Sequence, residues 1–229
     1  LHRCVGVKGF WGPIATLIWK DVLLELRTKD IVVSVLVFAL LVIVIFSFAV
    51  DPTPRTVAVI APGVLWVSFT FGGVLGLTRS FALEKDGGSL HGLMLAPVGR
   101  DAIFFGKMLG SFLFMAVVEI AVFPVFVVLF DISFEMPKLI PVALLATLGI
   151  VTVGTLFSAM AVNTRSREVM LPLLFFPAVV PIIVAAVEAT GVIIEGGGLD
   201  LDRWVPLMAV FDAVFLVVCP FAFSLVVEE

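Results

Sequence analysis

The sequence predicts an all-α, polytopic membrane protein: six transmembrane helices preceded by an N-terminal amphipathic helix at the membrane interface. Three observations carry this. The 229 residues are 62% hydrophobic and only 14% charged, outside the range of soluble domains. Six apolar segments, each long enough for a ~30 Å hydrocarbon core, fill the chain after residue 30. Short polar connections separate them, so the spans and loops consume the length and leave no room for a soluble catalytic domain.

Residues 1–30 form an N-terminal segment containing the amphipathic helix, FWGPIATLIWKDVLLELRTKD over 10–30. Pro13 suits a first helical turn. On a 3.6-residue period Ala15, Ile18, Trp19, Val22 and Leu26 make one stripe, with Thr16, Lys20, Asp21, Glu25 and Thr28 opposite. Leu17 and Leu24 blur the polar face. A helix lying in the interface plane fits this pattern, and so does an amphipathic helix packed on protein.

The predicted spans are Ile31–Val50, Val57–Thr78, Phe104–Phe130, Leu139–Val162, Val169–Ala189 and Val205–Val227, a six-helix transmembrane domain over 31–229. The first begins too late for a secretory signal and is long enough to stay as an anchor. The DPTPR link at 51–55 makes the first two spans a hairpin. Residues 79–103 form the longest loop, and 190–204, with Gly196-Gly197-Gly198, a flexible one. Eleven Lys and Arg residues fall on one side: Arg3, Lys8, Lys20, Arg27, Lys29, Arg79, Lys85, Arg100, Lys107, Arg165 and Arg167. Three fall on the other: Arg55, Lys138 and Arg203. The imbalance puts both termini in the cytoplasm, as an even number of spans requires.

Several chemistries find no residues here. Gly99 and Gly106-Lys107 are spaced two residues too widely for a P-loop, and Met108 stands where Ser or Thr is needed. His2 and His91 both lie outside the spans, which removes the commonest haem and metal ligand from the membrane interior. Cys4 and Cys219 read as free thiols. No nucleophile–base pair assembles, so no catalytic residue, metal ligand or nucleic-acid partner is expected.

Two acids sit inside spans: Glu119 mid-way along the third and Asp212 two turns into the sixth, at different predicted depths. Each is a candidate intramembrane polar site, for translocation or for an interhelical hydrogen bond. Pro124, Pro172, Pro177, Pro181 and Pro220 predict interrupted spans, the fifth most of all. Gly72 and Gly76 make a GxxxG face that serves either intramolecular packing or dimerisation.

The region 79–107, RSFALEKDGGSLHGLMLAPVGRDAIFFGK, is the sharpest local feature. Charged residues around Glu84 precede Gly87-Gly88, and Leu90, Leu93, Met94 and Leu95 then form an apolar stretch ended by Pro97. An apolar stretch in a cytoplasmic loop needs a surface: the bilayer, or a soluble partner.

The chain resembles the CcmB family, the permease of the cytochrome c maturation ABC transporter, also termed haem exporter protein B. The residues that carry this are Trp19-Lys20-Asp21 with Glu25 and Arg27, then Phe38, Phe46-Ser47-Phe48 and Gly63-x-Leu65-Trp66-Val67. They continue with Phe71, Gly76-Leu77-x-Arg79-Ser80-Phe81, Glu84, Gly92-Leu93-x-Leu95-x-Pro97 and Gly106-Lys107. The motifs are specific through about residue 110, so Glu119 and Asp212 inherit no role from them. The resemblance implies an ABC-2 type permease of the inner membrane that homodimerises and binds two copies of a CcmA-type ATPase. It implies CcmC- and CcmD-type membrane partners, with ATP hydrolysis serving release of the haem-loaded chaperone CcmE. ATP would sit on the partner subunit, and haem would be handled by the complex rather than bound here. Arg79, Glu84, Leu90, Leu93, Leu95 and Pro97 would form the ATPase-coupling loop, and Trp19, Lys20, Asp21, Glu25 and Arg27 the interfacial helix. The alternatives are an ABC-2 permease for another small molecule, an ion-coupled secondary transporter using Glu119, and a membrane-embedded enzyme.

Overall fold

A computed structural model describes residues 11–50, 53–86, 99–132, 136–162, 167–196 and 201–226. The described residues form seven helices and no strand: α1 (Trp11–Thr28), α2 (Asp30–Ala49), α3 (Pro54–Asp86), α4 (Arg100–Phe130), α5 (Met136–Val162), α6 (Arg167–Ile194) and α7 (Leu201–Val226). All but α1 are long and apolar enough to cross a membrane.

Each span buries one stripe and presents another apolar stripe outward. On α2, Ile31, Val35, Ala39 and Ile43 are buried while Val33, Val37, Leu41 and Phe48 are exposed. A helix apolar all round is stable only where the surrounding solvent is itself apolar. Helix α5 sits at the centre and packs against α3, α4, α6 and α7. Two ends of the bundle are marked by contacts. At one, Arg100 Nη1 of α4 donates to the Ser224 carbonyl of α7 at 3.2 Å, and α1 lies against α4. At the other, Val50, Pro54, Phe130, Ile132 and Ile194 line one cavity.

The structure departs from the sequence-based expectation in several places: residues 190–194 and 201–204 belong to α6 and α7 rather than to a loop, and α4 and α7 run unbroken through Pro124 and Pro220. Residues 79–86 are not loop: they continue α3, whose 33 residues extend about 50 Å, well beyond a ~30 Å core. Residues 100–103 likewise already belong to α4. Helix α6 runs unbroken through Pro172, Pro177 and Pro181. Each proline forfeits one backbone bond, but in an apolar medium the remaining ladder has no alternative partner, so the helix holds. Pro177 and Pro181 are both exposed.

The glycines of α3 serve contacts within the chain. A Cβ on Gly72 would stand 2.9 Å from Val35 of α2, and one on Gly76 2.7 Å from Phe114 of α4. Both residues therefore permit α2 and α4 to close on α3. Buried Ser68, Thr70 and Thr155 return their hydroxyls to the carbonyl one turn back in their own helix. Trp66 Nε1 donates to Thr190 Oγ1 at 2.9 Å, tying α3 to α6.

Candidate functional site

Three separated motifs of the sequence meet at the α1 end. Helix α1 lies on the first turns of α4 because Gly106 and Gly110, four residues apart, leave a flat strip there. A Cβ on Gly106 would fall 2.8 Å from Leu17, and one on Gly110 3.3 Å from Asp21. Leu17 and Asp21 are themselves four residues apart, so both settle on this strip. Beside it, Lys107 Nζ donates to both Asp21 oxygens at 3.0 and 3.2 Å. Lys107 is only 3% exposed, and its ammonium also lies 5.9 Å from the centre of the Phe81 ring of α3. Lys20 pairs with Asp21 at 3.2 Å. Lys20-Asp21, Phe81 and Gly106-Lys107 thus form one cluster across α1, α3 and α4.

Glu25 has a different task. Its Oε1 accepts the Val32 amide at 2.7 Å, at the third position of α2. Lys29, the single residue between α1 and α2, has φ 56° and offers no side-chain cap. The Glu25 carboxylate replaces that cap and sets its negative charge at a helix N-terminus, where the dipole favours it. The α1–α2 corner is therefore held from within α1.

Periodicity left open which stripe of α1 meets the protein, and the contacts decide it for two residues. Asp21 and Glu25 turn toward the protein, together with buried Ile14, while Trp19, Leu23 and Leu24 are exposed, Trp19 at 65%. Asp21 and Glu25 face inward because Lys107 and the α2 amide supply partners that a bilayer cannot, whereas Thr16 of the same stripe is exposed.

Arg79 stands near the α3 end and donates from Nη1 to Ser34 Oγ at 3.1 Å. Glu84 lies in the last turn of α3, and Arg27 in that of α1; only their helical backbone is described. Leu90, Leu93, Leu95 and Pro97 fall outside the described residues. Glu119 and Asp212 are not at different depths, as the sequence suggested. Thr147 of α5 donates to Glu119 Oε1, and Asp212 packs against Gly149, two residues further along the same helix. Residues two apart on a helix point about 200° apart. Helix α5 therefore stands between the two acids, and they do not form one site. Asp212 is 3% exposed, and neither of its oxygens has a hydrogen-bond partner among the described residues. No cluster of three or more His, Cys, Asp or Glu side chains occurs among the described residues.

Sequence reasoning placed Lys107 among loop cations and missed its burial. The signal was present in Gly106-x-x-x-Gly110, the same small-residue spacing noticed at Gly72 and Gly76.

A family model described as CcmB protein matches residues 13–229, all of the described helices but the first two residues of α1. The chain belongs to the CcmB family. It is 30% identical over 209 residues to "Heme exporter protein B" of Rhodobacter capsulatus, covering 90% of this chain and 94% of that one. The corresponding protein of Paracoccus denitrificans is also 30% identical over 209 residues, with the same coverage. That of Haemophilus influenzae is 27% identical over 186 residues, 80% of this chain and 84% of that one. CcmB membership thus extends past residue 110, across the spans that carry Glu119 and Asp212, without assigning either a role.

Proposed function

We propose that this chain is the membrane permease subunit of an ABC complex for cytochrome c maturation, acting in haem handling and driven by ATP hydrolysed on a partner subunit. The observation that carries this is the match of the CcmB model to nearly the whole chain, with relatives bearing the name heme exporter protein B. The geometry supports a division of labour. Helices α3 and α4 are both longer than the hydrocarbon core requires, and residues 87–99 join them at the α1 end. A soluble ATPase that engages this connection, from Arg79 and Glu84 to Leu93, Leu95 and Pro97, moves two core helices together. The Lys107–Asp21 pair ties that motion to α1 and through Glu25 to α2. Packed helices of this kind transmit a rigid shift rather than absorbing it.

In this reading α1 lies in the cytoplasmic interface, with Trp19, Leu23 and Leu24 in lipid, and both termini face the cytoplasm of the bacterial inner membrane. The complex comprises a homodimer of this chain, two CcmA-type ATPases, and CcmC- and CcmD-type membrane proteins, and it serves release of haem-loaded CcmE. Co-purification with the ATPase subunit tests it. Charge reversal at Glu84 combined with Leu93→Asp abolishes ATPase capture while the variant still inserts in the membrane; retained capture refutes the docking assignment.

A further inference from the structure

A cavity of about 320 Å³ lies where α1, α2, α3 and α4 converge, beside the Asp21–Lys107 pair. Its wall is largely apolar, and Val33, Leu113 and Val117 are exposed, so it opens sideways toward lipid. Asp21, Glu25 and Lys29 are its charged residues. Both acids are already engaged, Asp21 by Lys107 and Lys20, Glu25 by the Val32 amide. Lys29 is exposed, and among the described residues its ammonium has no hydrogen bond or ion pair. Arg79 adds a second cation at this end through its bond to Ser34, one turn into α2.

We propose that this cavity binds one anionic phospholipid, with an acyl chain along Val33, Leu113, Phe114 and Val117 and the phosphate against Lys29. An α-helix is ~10–12 Å across and does not enter a slot of this size, whereas a single acyl chain does. The neutralised acids leave Lys29 to choose the headgroup, and a cation at the level of an interfacial helix favours a negative one. The lipid would wedge α1 against α2 and α4, at the corner that Glu25 closes.

The test uses the full chain in phosphatidylcholine nanodiscs. Trace phosphatidylglycerol or phosphatidylcholine, each with the same diazirine-bearing acyl chain, is photolysed, and labelled residues are mapped by mass spectrometry. Phosphatidylglycerol labels residues 110–117 about fivefold more than phosphatidylcholine, the ratio that one lysine at an anionic lipid supplies. Val33→Trp fills the slot from an exposed position and abolishes this labelling. Lys29→Asn keeps a residue type that tolerates positive φ and brings the two lipids to parity. Equal labelling of the wild type by both lipids, or labelling no stronger than at exposed Val128 and Val217, overturns the site. An unchanged preference in Lys29→Asn overturns the headgroup assignment.

Discussion

Substituting Asp21→Asn leaves the shape of α1 intact and removes the charge that Lys107 faces. Lys107 is 3% exposed, and its ammonium lies 3.0 and 3.2 Å from the Asp21 oxygens. Removing one partner of a buried ion pair costs about 3–5 kcal/mol, because the surviving charge stays desolvated. Two features hold the cost to the low end of that range. Asp21 is 21% exposed, so some water reaches the pair, and the Phe81 ring remains near the ammonium. The expected loss is about 3 kcal/mol. The reverse change, Lys107→Met, keeps the apolar stem and leaves Asp21 with Lys20 and water, so about 1 kcal/mol is lost. The double variant should lose less than the sum, with a coupling of about 1–2 kcal/mol. Reversible unfolding in mixed micelles, followed by circular dichroism, measures all four corners. Additivity within about 0.5 kcal/mol would mean that the two groups do not interact and that α1 is held by the glycine strip alone.

Two further outcomes follow from the packing. Gly149→Ala should destabilise by about 2 kcal/mol or more, since its Cβ would collide with Ile182 and fall 2.5 Å from Asp212. Gly63→Ala has nothing within 4 Å and should stabilise by about 0.5–1 kcal/mol through helix propensity; the same unfolding assay ranks them. Thr147→Val leaves Glu119 without its donor and should cost about 1 kcal/mol, whereas Glu119→Gln retains an acceptor and should cost less, with thermal unfolding in detergent as the readout.

What the sequence by itself determined was everything that depends on solvent and period. Six spans and their order follow from apolar length against bilayer thickness, a local property that each segment carries alone. The family motifs were legible for the same reason, as residue types at fixed spacings. What only the tertiary structure decided was which residues face one another. Lys107 reads as a loop cation until α1 brings Asp21 onto the Gly106–Gly110 strip. Glu25 reads as a solvated face until its carboxylate is found on the Val32 amide. Glu119 and Asp212 read as lying at different depths, because depth was counted along each span from an uncertain boundary. Helix α5 set them level, with Thr147 and Gly149 on opposite sides. Apolar spans do not choose their neighbours by hydrophobicity, since lipid is as apolar as leucine. Small residues, hydrogen bonds and buried charge pairs make that choice, and their partners lie up to 124 positions away in the chain.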